Sequence, residues 1–401
     1  TTPPPARGDG VVGVGVSPIP GGSASSRPRF SGRVPRGHGA GHGEGVRKYS
    51  ELSEDEKATI YIVVWLMRIL TNWGHRTIRR KIIELFGVDP GDNVKRWLYE
   101  GLKPRFKLRT FEKALWYHQA YELAVKLKRE HPDWGHKRIA TAVNRLLPIR
   151  VPQLTVYYWI TGRSRPNVTP LKLSRETLPV AAYCVGVLCG DYNRSDGGLR
   201  VKDREFAEYF ARMYEAVTGV KVMPQAYRDG FWVTYERGGW LRSCWKTGLW
   251  KVFAELDPIN WLKGLFDSEG SVSPLCEHNK RKLSNIWIRL IIGNPEVKEM
   301  AVRALRRLGF KVNERYKPRM KRELGGKIYE FGSCWILCIK GWQQARRFAQ
   351  LIGFRVSYRR ERLQDLLKLQ PLSPRLRYLM WTREYHKTNG RWRKRSVSSK
   401  A

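Results

Sequence analysis

The chain is poor in acids, in cysteine and in long apolar runs. Its 401 residues hold 36 Asp and Glu against 75 Lys and Arg, a formal net charge of +39. The longest apolar run, Ile60 to Met67, is far short of the roughly 20 residues a membrane-spanning helix needs, so no membrane partner is expected. No charged leader followed by an apolar core opens the chain, which argues against a signal peptide. The first residue is Thr, as expected of a fragment or an over-extended reading frame. Six cysteines in a chain of this length do not make a disulfide framework. Cys184 with Cys189 and Cys334 with Cys338 do not repeat as CxxC pairs, and Cys276 near His278 lacks the further ligands of a zinc site. Buried thiols in a reducing, cytoplasmic setting are the expectation.

What the chain does have is apolar bulk and positive charge. With 42% hydrophobic residues and 16 Trp it can bury cores rather than stay disordered. At about 150 residues per domain its length suggests two to three domains. An excess of cations this large neutralises phosphates and releases counterions, which makes nucleic acid the default ligand and nucleoid association the expected location. An anionic membrane surface is the rival, but it calls for one basic amphipathic helix rather than cations spread over the whole chain. Residues 1–46 are rich in Gly, Pro, Ser and Val without periodicity and are expected to be disordered. Residues 371–401 end in Arg391-Trp392-Arg393-Lys394-Arg395 and read as a basic tail, either solvated or tracking phosphates.

Between these ends a helical pattern repeats. Asn72-Trp73-Gly74-His75-Arg76-Thr77-Ile78 returns as Asp133-Trp134-Gly135-His136-Lys137-Arg138-Ile139. Each copy precedes an apolar helix, a turn and a third helix, ending in Val94-Lys95-Arg96-Trp97-Leu98 or Val156-Tyr157-Tyr158-Trp159-Ile160. The spacing predicts two three-helix units, over 47–109 and 110–170. They resemble the helix-turn-helix modules of transposases and site-specific recombinases. That likeness implies a third helix in the major groove, with Arg76, Lys95, Arg96, Lys137, Arg138, Gln153, Thr155 and Arg163 as DNA contacts and Trp97 and Trp159 as core anchors. A plain helical packing module is the other reading.

From about 177 the pattern changes. Cys184-Val185-Gly186-Val187-Leu188-Cys189-Gly190-Asp191 aligns with Leu262-Lys263-Gly264-Leu265-Phe266-Asp267-Ser268-Glu269, with Gly third and an acid last in both. The second copy has a helix start, Asp257 as N-cap and Pro258 in the first turn. A carboxylate at a helix C-terminus opposes the macrodipole, and two such helices packed through glycines would add like-charge repulsion. The arrangement makes sense if a divalent cation and a phosphate sit between the acids.

These segments resemble the two LAGLIDADG motifs of a single-chain homing endonuclease, over about 177–365. The resemblance implies an α+β fold, an α-β-β-α-β-β-α unit run twice over 171–250 and 251–370, whose antiparallel sheets saddle DNA. It implies a monomeric, intron-encoded nuclease that cuts a duplex site of about 20 base pairs or longer. Asp191 and Glu269, together with Gly190 and Ser268, would make up the site for Mg²⁺ or Mn²⁺. Lys202 and Lys340 would be the catalytic cations. Their opposite-half counterparts fall near Ile292 or Gly293 and near Arg237, so the two half-sites are unequal. Tyr192 stands where Gly is usual, and a left-handed turn there would be costly.

Sheet contacts with DNA are expected from Arg200, Lys202, Tyr227, Arg228, Trp232, Thr234, Arg237, Trp287, Arg289, Lys317, Arg319, Lys321, Arg322 and Lys327, since Arg and Lys address guanine edges. Alternatives are an RNA maturase acting on intron RNA, and a non-cleaving regulator, against which both acids stand. An intein is disfavoured by the absence of a nucleophile at residue 1 and of a His-Asn end. A recombinase lacks a convincing third acid.

Overall fold

The computed structural model describes residues 45–324, 327–388 and 391–395. The tract expected to be disordered over 1–46 therefore falls, apart from its last two residues, outside the described residues. Among these, no helix is long and apolar enough to cross a membrane.

The N-terminal part is helical. Strand β1 (Arg47–Lys48) leads into α1 (Glu54–Thr71), α2 (His75–Phe86), β2 (Val88–Asp89) and α3 (Asn93–Tyr99), and β1 pairs with β2 in parallel. Ser53 and Glu56 form a capping box that starts α1, with the Ser53 amide donating to Glu56 at 2.9 Å. The next three helices are α4 (Thr110–Glu130), α5 (His136–Leu146) and α6 (Gln153–Ile160). The repeat in the sequence is a repeat in geometry. Gly74 and Gly135 precede α2 and α5 with nearly equal dihedrals, −75°/164° and −74°/161°. Arg68, in the last turn of α1, donates to the carbonyls of Asn72 and Trp73, as Lys128 at the end of α4 does to those of Pro132 and Trp134. Trp97 and Trp159 are buried, edge-on to Tyr61 at 5.3 Å and Tyr117 at 5.2 Å.

The larger part is mixed helix and antiparallel sheet, as an α+β fold requires. It runs α7 (Leu178–Cys189), β3 (Tyr192–Asn193), β4 (Gly198–Val201), α8 (Arg204–Thr218), β5 (Gln225–Tyr227), β6 (Phe231–Tyr235), α9 (Trp240–Lys246) and α10 (Trp250–Leu256). The second run is α11 (Pro258–Glu269), β7 (Gly270–Glu277), β8 (Lys282–Ile292), α12 (Pro295–Arg307), β9 (Val312–Lys317), β10 (Met320–Leu324), β11 (Lys327–Phe331), β12 (Cys334–Lys340), α13 (Trp342–Leu351) and α14 (Ser357–Lys368). The two four-stranded sheets have the same order, β3-β4-β6-β5 and β7-β8-β12-β9. Alternation along each strand buries one face under helices. Leu199 and Thr234 are buried in the first sheet, and Ile286, Ile288, Leu290, Leu337 and Ile339 in the second. The hairpin of β10 and β11 interrupts the second run and has no strand counterpart in the first. Lys221 and Val222 are irregular, and β5 begins only at Gln225.

Helices α7 and α11 hold the two runs together. A Cβ on Gly186 would meet the Trp261 carbonyl oxygen and come within 3.0 Å of the Leu265 nitrogen. One on Gly264 would meet the Tyr183 carbonyl oxygen and come within 2.8 Å of the Val187 nitrogen. Only residues without a side chain let two backbones approach this closely. The Asp257 carboxylate starts α11 by accepting from the Asn260 amide at 3.0 Å, with Pro258 in the first turn.

The helical units pack directly on this core, α1 against α10 and α4 against α9. Glu255 of α10, 5% exposed, receives Lys81 of α2 at 2.8 Å and Arg307 of α12 at 2.9 Å. One carboxylate thus ties three elements. Glu255→Ala is expected to lower the unfolding free energy by about 1–2 kcal/mol, because Lys81, largely buried, loses a charge partner while the more exposed Arg307 falls back on solvent. Denaturant unfolding of E255A beside E255Q checks this, and an E255A loss under about 0.5 kcal/mol would refute it.

The segment read as a basic tail is built differently. Helix α15 (Pro374–Glu384) and the hairpin β13 (Tyr385–Thr388) with β14 (Arg391–Lys394) are anchored by rings and ions. Trp381 stacks on Tyr385 at 3.8 Å and meets Trp392 edge-on at 5.7 Å. Asp365 of α14 accepts from Tyr385 and Lys394, each at 2.9 Å. Aromatic residues between the cations supply what a solvated tail lacks, an apolar face to bury.

Candidate active site

Because α7 and α11 touch through their glycines, their C-termini end side by side. A Cβ on Gly190 would lie 3.0 Å from the Ser268 hydroxyl and 3.2 Å from Cγ of Glu269. Asp191 follows directly. Burial and, next, the charge of Glu269 push the Asp191 carboxyl up to about 7, with Arg359 pulling the other way. Burial also raises Glu269, against the charges of Arg359 and Arg194. The two acids therefore sit close together, half-buried, and each holds its negative charge at a cost. The Ser268 hydroxyl is buried without a hydrogen-bond partner.

Two arginines that sequence reasoning missed flank the pair. Arg194 donates to the Leu188 carbonyl at 3.1 Å, with its guanidinium 3.7 Å above the Trp245 ring. Arg359 of α14 reaches α11 and donates to the carbonyls of Phe266 at 3.0 Å, Asp267, and Ser268 at 3.2 Å. Each helix end thus carries a cation against its negative pole. Arg194 lies three residues past its acid and could have been suspected; nothing in the sequence ties Arg359 to α11.

Helix α14 is set in place by Asp267, which has no exposed surface. Its carboxylate accepts from the amides of Arg355 at 2.8 Å and Val356 at 3.4 Å, ahead of the first turn of α14, and from the Tyr183 hydroxyl of α7 at 2.9 Å. Burial raises this carboxyl to about 6 while the three donors oppose the rise.

A cleft of about 320 Å³ opens beside Asp191, lined among others by Arg200, Lys202, Tyr358 and Arg359. The structure thus brings Lys202 to Asp191. Lys340 is different. Gly270, next to Glu269, pairs with Leu290, whereas Lys340 pairs with Trp287, itself opposite Ser273. Four residues of strand, roughly 13 Å, separate Lys340 from the acid, and it stands on the open face of the sheet. Matching the two sheets by their ladders, Leu199 with Leu290 and Thr234 with Leu337, makes Gly293 the counterpart of Lys202 and Arg237 that of Lys340. Tyr192 needs no left-handed turn. It enters β3 buried, and among the described residues only Asn72 and Arg281 have positive φ without being glycine.

The expected DNA contacts divide by strand parity. Arg200 and Tyr227 share the open face of the first sheet, the guanidinium 4.4 Å from the ring, with Lys202 continuing that side. Arg228 and Arg237 are exposed in the turns beyond β5 and β6. Trp232 and Thr234 point the other way, a correction. Thr234 is buried and donates to the Ala207 carbonyl of α8, and Trp232 lies under Arg204 at 4.9 Å. In the second sheet Trp287, Arg289, Lys317 and Lys340 share the open face with Arg315, which the sequence reading passed over. Arg319 is exposed after β9, and for Lys321, Arg322 and Lys327 only the backbone of the β10–β11 hairpin is described. In the helical units Arg76, Lys95, Arg96, Lys137, Arg138, Gln153 and Arg163 are exposed, while Thr155 is half-buried beside Tyr117.

No family model matches the chain. An uncharacterized protein of Methanocaldococcus jannaschii is 24% identical over 252 residues, 59% of this chain and 89% of that protein. Among solved structures, mesophilic variants of the homing endonuclease I-DmoI align with a TM-score of 0.33 at 16% identity, covering 47% of this chain and 98% of theirs. I-DmoI in complex with DNA and Mn aligns with a TM-score of 0.30 at 17% identity, covering 44% of this chain and 97% of that one.

Proposed function

We propose that this protein is a divalent-metal-dependent nuclease that cuts both strands of duplex DNA at a specific site, one acid serving each strand. The observation that carries the reading is the pair of half-buried carboxylates, Asp191 and Glu269, at the ends of two helices in backbone contact. Their charge is costly without a cation.

The residues present fit Mg²⁺ or Mn²⁺. Two carboxylates with raised proton affinity, next to an orphaned Ser268 hydroxyl, form a donor set that leaves places for phosphate oxygens and water. When bound, such a cation supplies the positive charge that activates water and steadies a leaving oxygen. The chain's own side chains do the remainder. Lys202, Arg200 and Arg359 line the cleft beside Asp191 and would neutralise a phosphate there. The open faces carrying Arg289, Arg315, Lys317 and Lys340 would hold the flanking duplex. The helical units, packed on the core, would lengthen the footprint with Arg76, Lys95, Arg96, Lys137, Arg138, Gln153 and Arg163.

The test is cleavage of a randomised-target plasmid library with Mg²⁺ present, followed by end mapping. Asp191→Asn and Glu269→Gln are each expected to bind the selected target and to lose double-strand cutting. Full cutting by either variant would refute the assignment.

A further inference from the structure

Resting on that reading, we propose that Arg359 is a resident cation of the site, a positioning residue that occupies the Ser268 carbonyl and so limits metal to the Asp191 side. Both Nη1 and Nη2 of Arg359 reach the Ser268 carbonyl at 3.2 Å, and Nη1 also serves Phe266 and Asp267. A carbonyl that already accepts two donors has little electron density left for a cation. In the other run the flanking arginine, Arg194, donates to the carbonyls of Leu188 at 3.1 Å and Cys189 at 3.5 Å, one residue short of Gly190, the counterpart of Ser268. The two acid ends, alike in sequence, are thus unlike in what surrounds them. Among the described residues no group of three or more His, Cys, Asp or Glu is placed to hold a metal, so each protein ligand of this sparse site counts.

The arginine is not placed there by chance contact. Its helix begins on the buried Asp267 carboxylate, which is also bonded to Tyr183 of α7. Asp267 is part of α11, so the helix whose end Arg359 caps also fixes the helix that carries Arg359. A guanidinium held this way lends the acids a fixed positive charge and lines the cleft together with Lys202.

Mn²⁺ uptake by the full chain, counted by electron paramagnetic resonance of the free ion, tests this without any cleavage. The wild type is expected to take up one Mn²⁺ per chain, lost in Asp191→Asn. Arg359→Gln is expected to take up a second ion, or to bind the first at least tenfold tighter, and Glu269→Gln added to it should remove that gain. Arg359→Lys keeps a charge with fewer donors and should fall between; it keeps the test open should the glutamine variant fail to fold. Equal count and affinity in wild type and the Arg359 variants, including no uptake by any, overturns the role of Arg359. Equal uptake by wild type and D191N would instead overturn the two-acid reading.

Discussion

Gly264→Ala is expected to cost about 3 kcal/mol or more of unfolding free energy and to abolish cutting with it. One added methyl would press on the Tyr183 carbonyl oxygen and stand 2.8 Å from the Val187 nitrogen and 3.1 Å from the Gly186 carbonyl carbon. All three are backbone atoms in a helix, so no side chain can swing aside. Relief requires α7 and α11 to move apart, and overpacking of this kind costs about 1–3 kcal/mol even where side chains can adjust. A separation at Gly186 and Gly264 also spreads the acids one turn on. In a helix interior the same change would ordinarily help by up to about 1 kcal/mol, because Ala is the better helix former. The sign is therefore diagnostic. Denaturant unfolding of G264A, with Gly293→Ala as control in open space, measures it. A stability equal to or above wild type would mean that the helices do not meet backbone to backbone.

That contact is legible in the sequence, and the reason is physical. A glycine at the third place and an acid at the last, twice, is a pattern in local sequence, and the packing it dictates is local to two helices. The Asn-Trp-Gly-His repeat was legible for the same reason: Gly74 and Gly135 open equivalent helices, and Trp97 and Trp159 fill equivalent cores. Strand faces were harder. Trp232 and Thr234 alternate correctly with Val233, but which parity faces the helices depends on the ladder with β4, where Leu199 opposes Thr234. A one-residue choice reverses every side chain. Lys340 failed similarly: a lysine at a strand end is visible, but which end lies near the acid is fixed by antiparallel register. Arg359 and Asp267 depend on contacts between segments about ninety residues apart, and a single sequence holds no trace of them. The C-terminal hairpin was hidden because its cations dominate composition while its order comes from Trp381, Tyr385 and Trp392.

Asp191→Asn is expected to gain stability and lose function together. The Asp191 carboxyl, ordinarily near 3.8, titrates at about 7 in the folded chain. Between those values the native state binds the proton more tightly than the unfolded chain, so each step upward in pH erodes stability. The benefit of the protonated form is complete below about 3.8 and gone once pH passes 7. Asparagine cannot ionise and is spared this loss. D191N should therefore exceed wild type by a margin that grows from pH 4 to 7 and is level above, reaching about 1–4 kcal/mol at about 1.4 kcal/mol per unit, with the lower part allowing for solvent and for Arg359. Mg²⁺ should narrow the gap from the wild-type side alone, since an ion that binds only the native dianionic pair stabilises in proportion to the logarithm of its concentration. Chelation should restore it. In cleavage the same change should cost at least about a thousandfold, as loss of a group that acts only with the reacting phosphate lowers kcat rather than affinity. Thermal unfolding of both proteins across pH 5–9, with EDTA and with Mg²⁺, separates these effects. A variant less stable than wild type at pH 8 in EDTA would mean that Asp191 is held by partners as a structural anion, and that its charge is not kept in reserve for a cation.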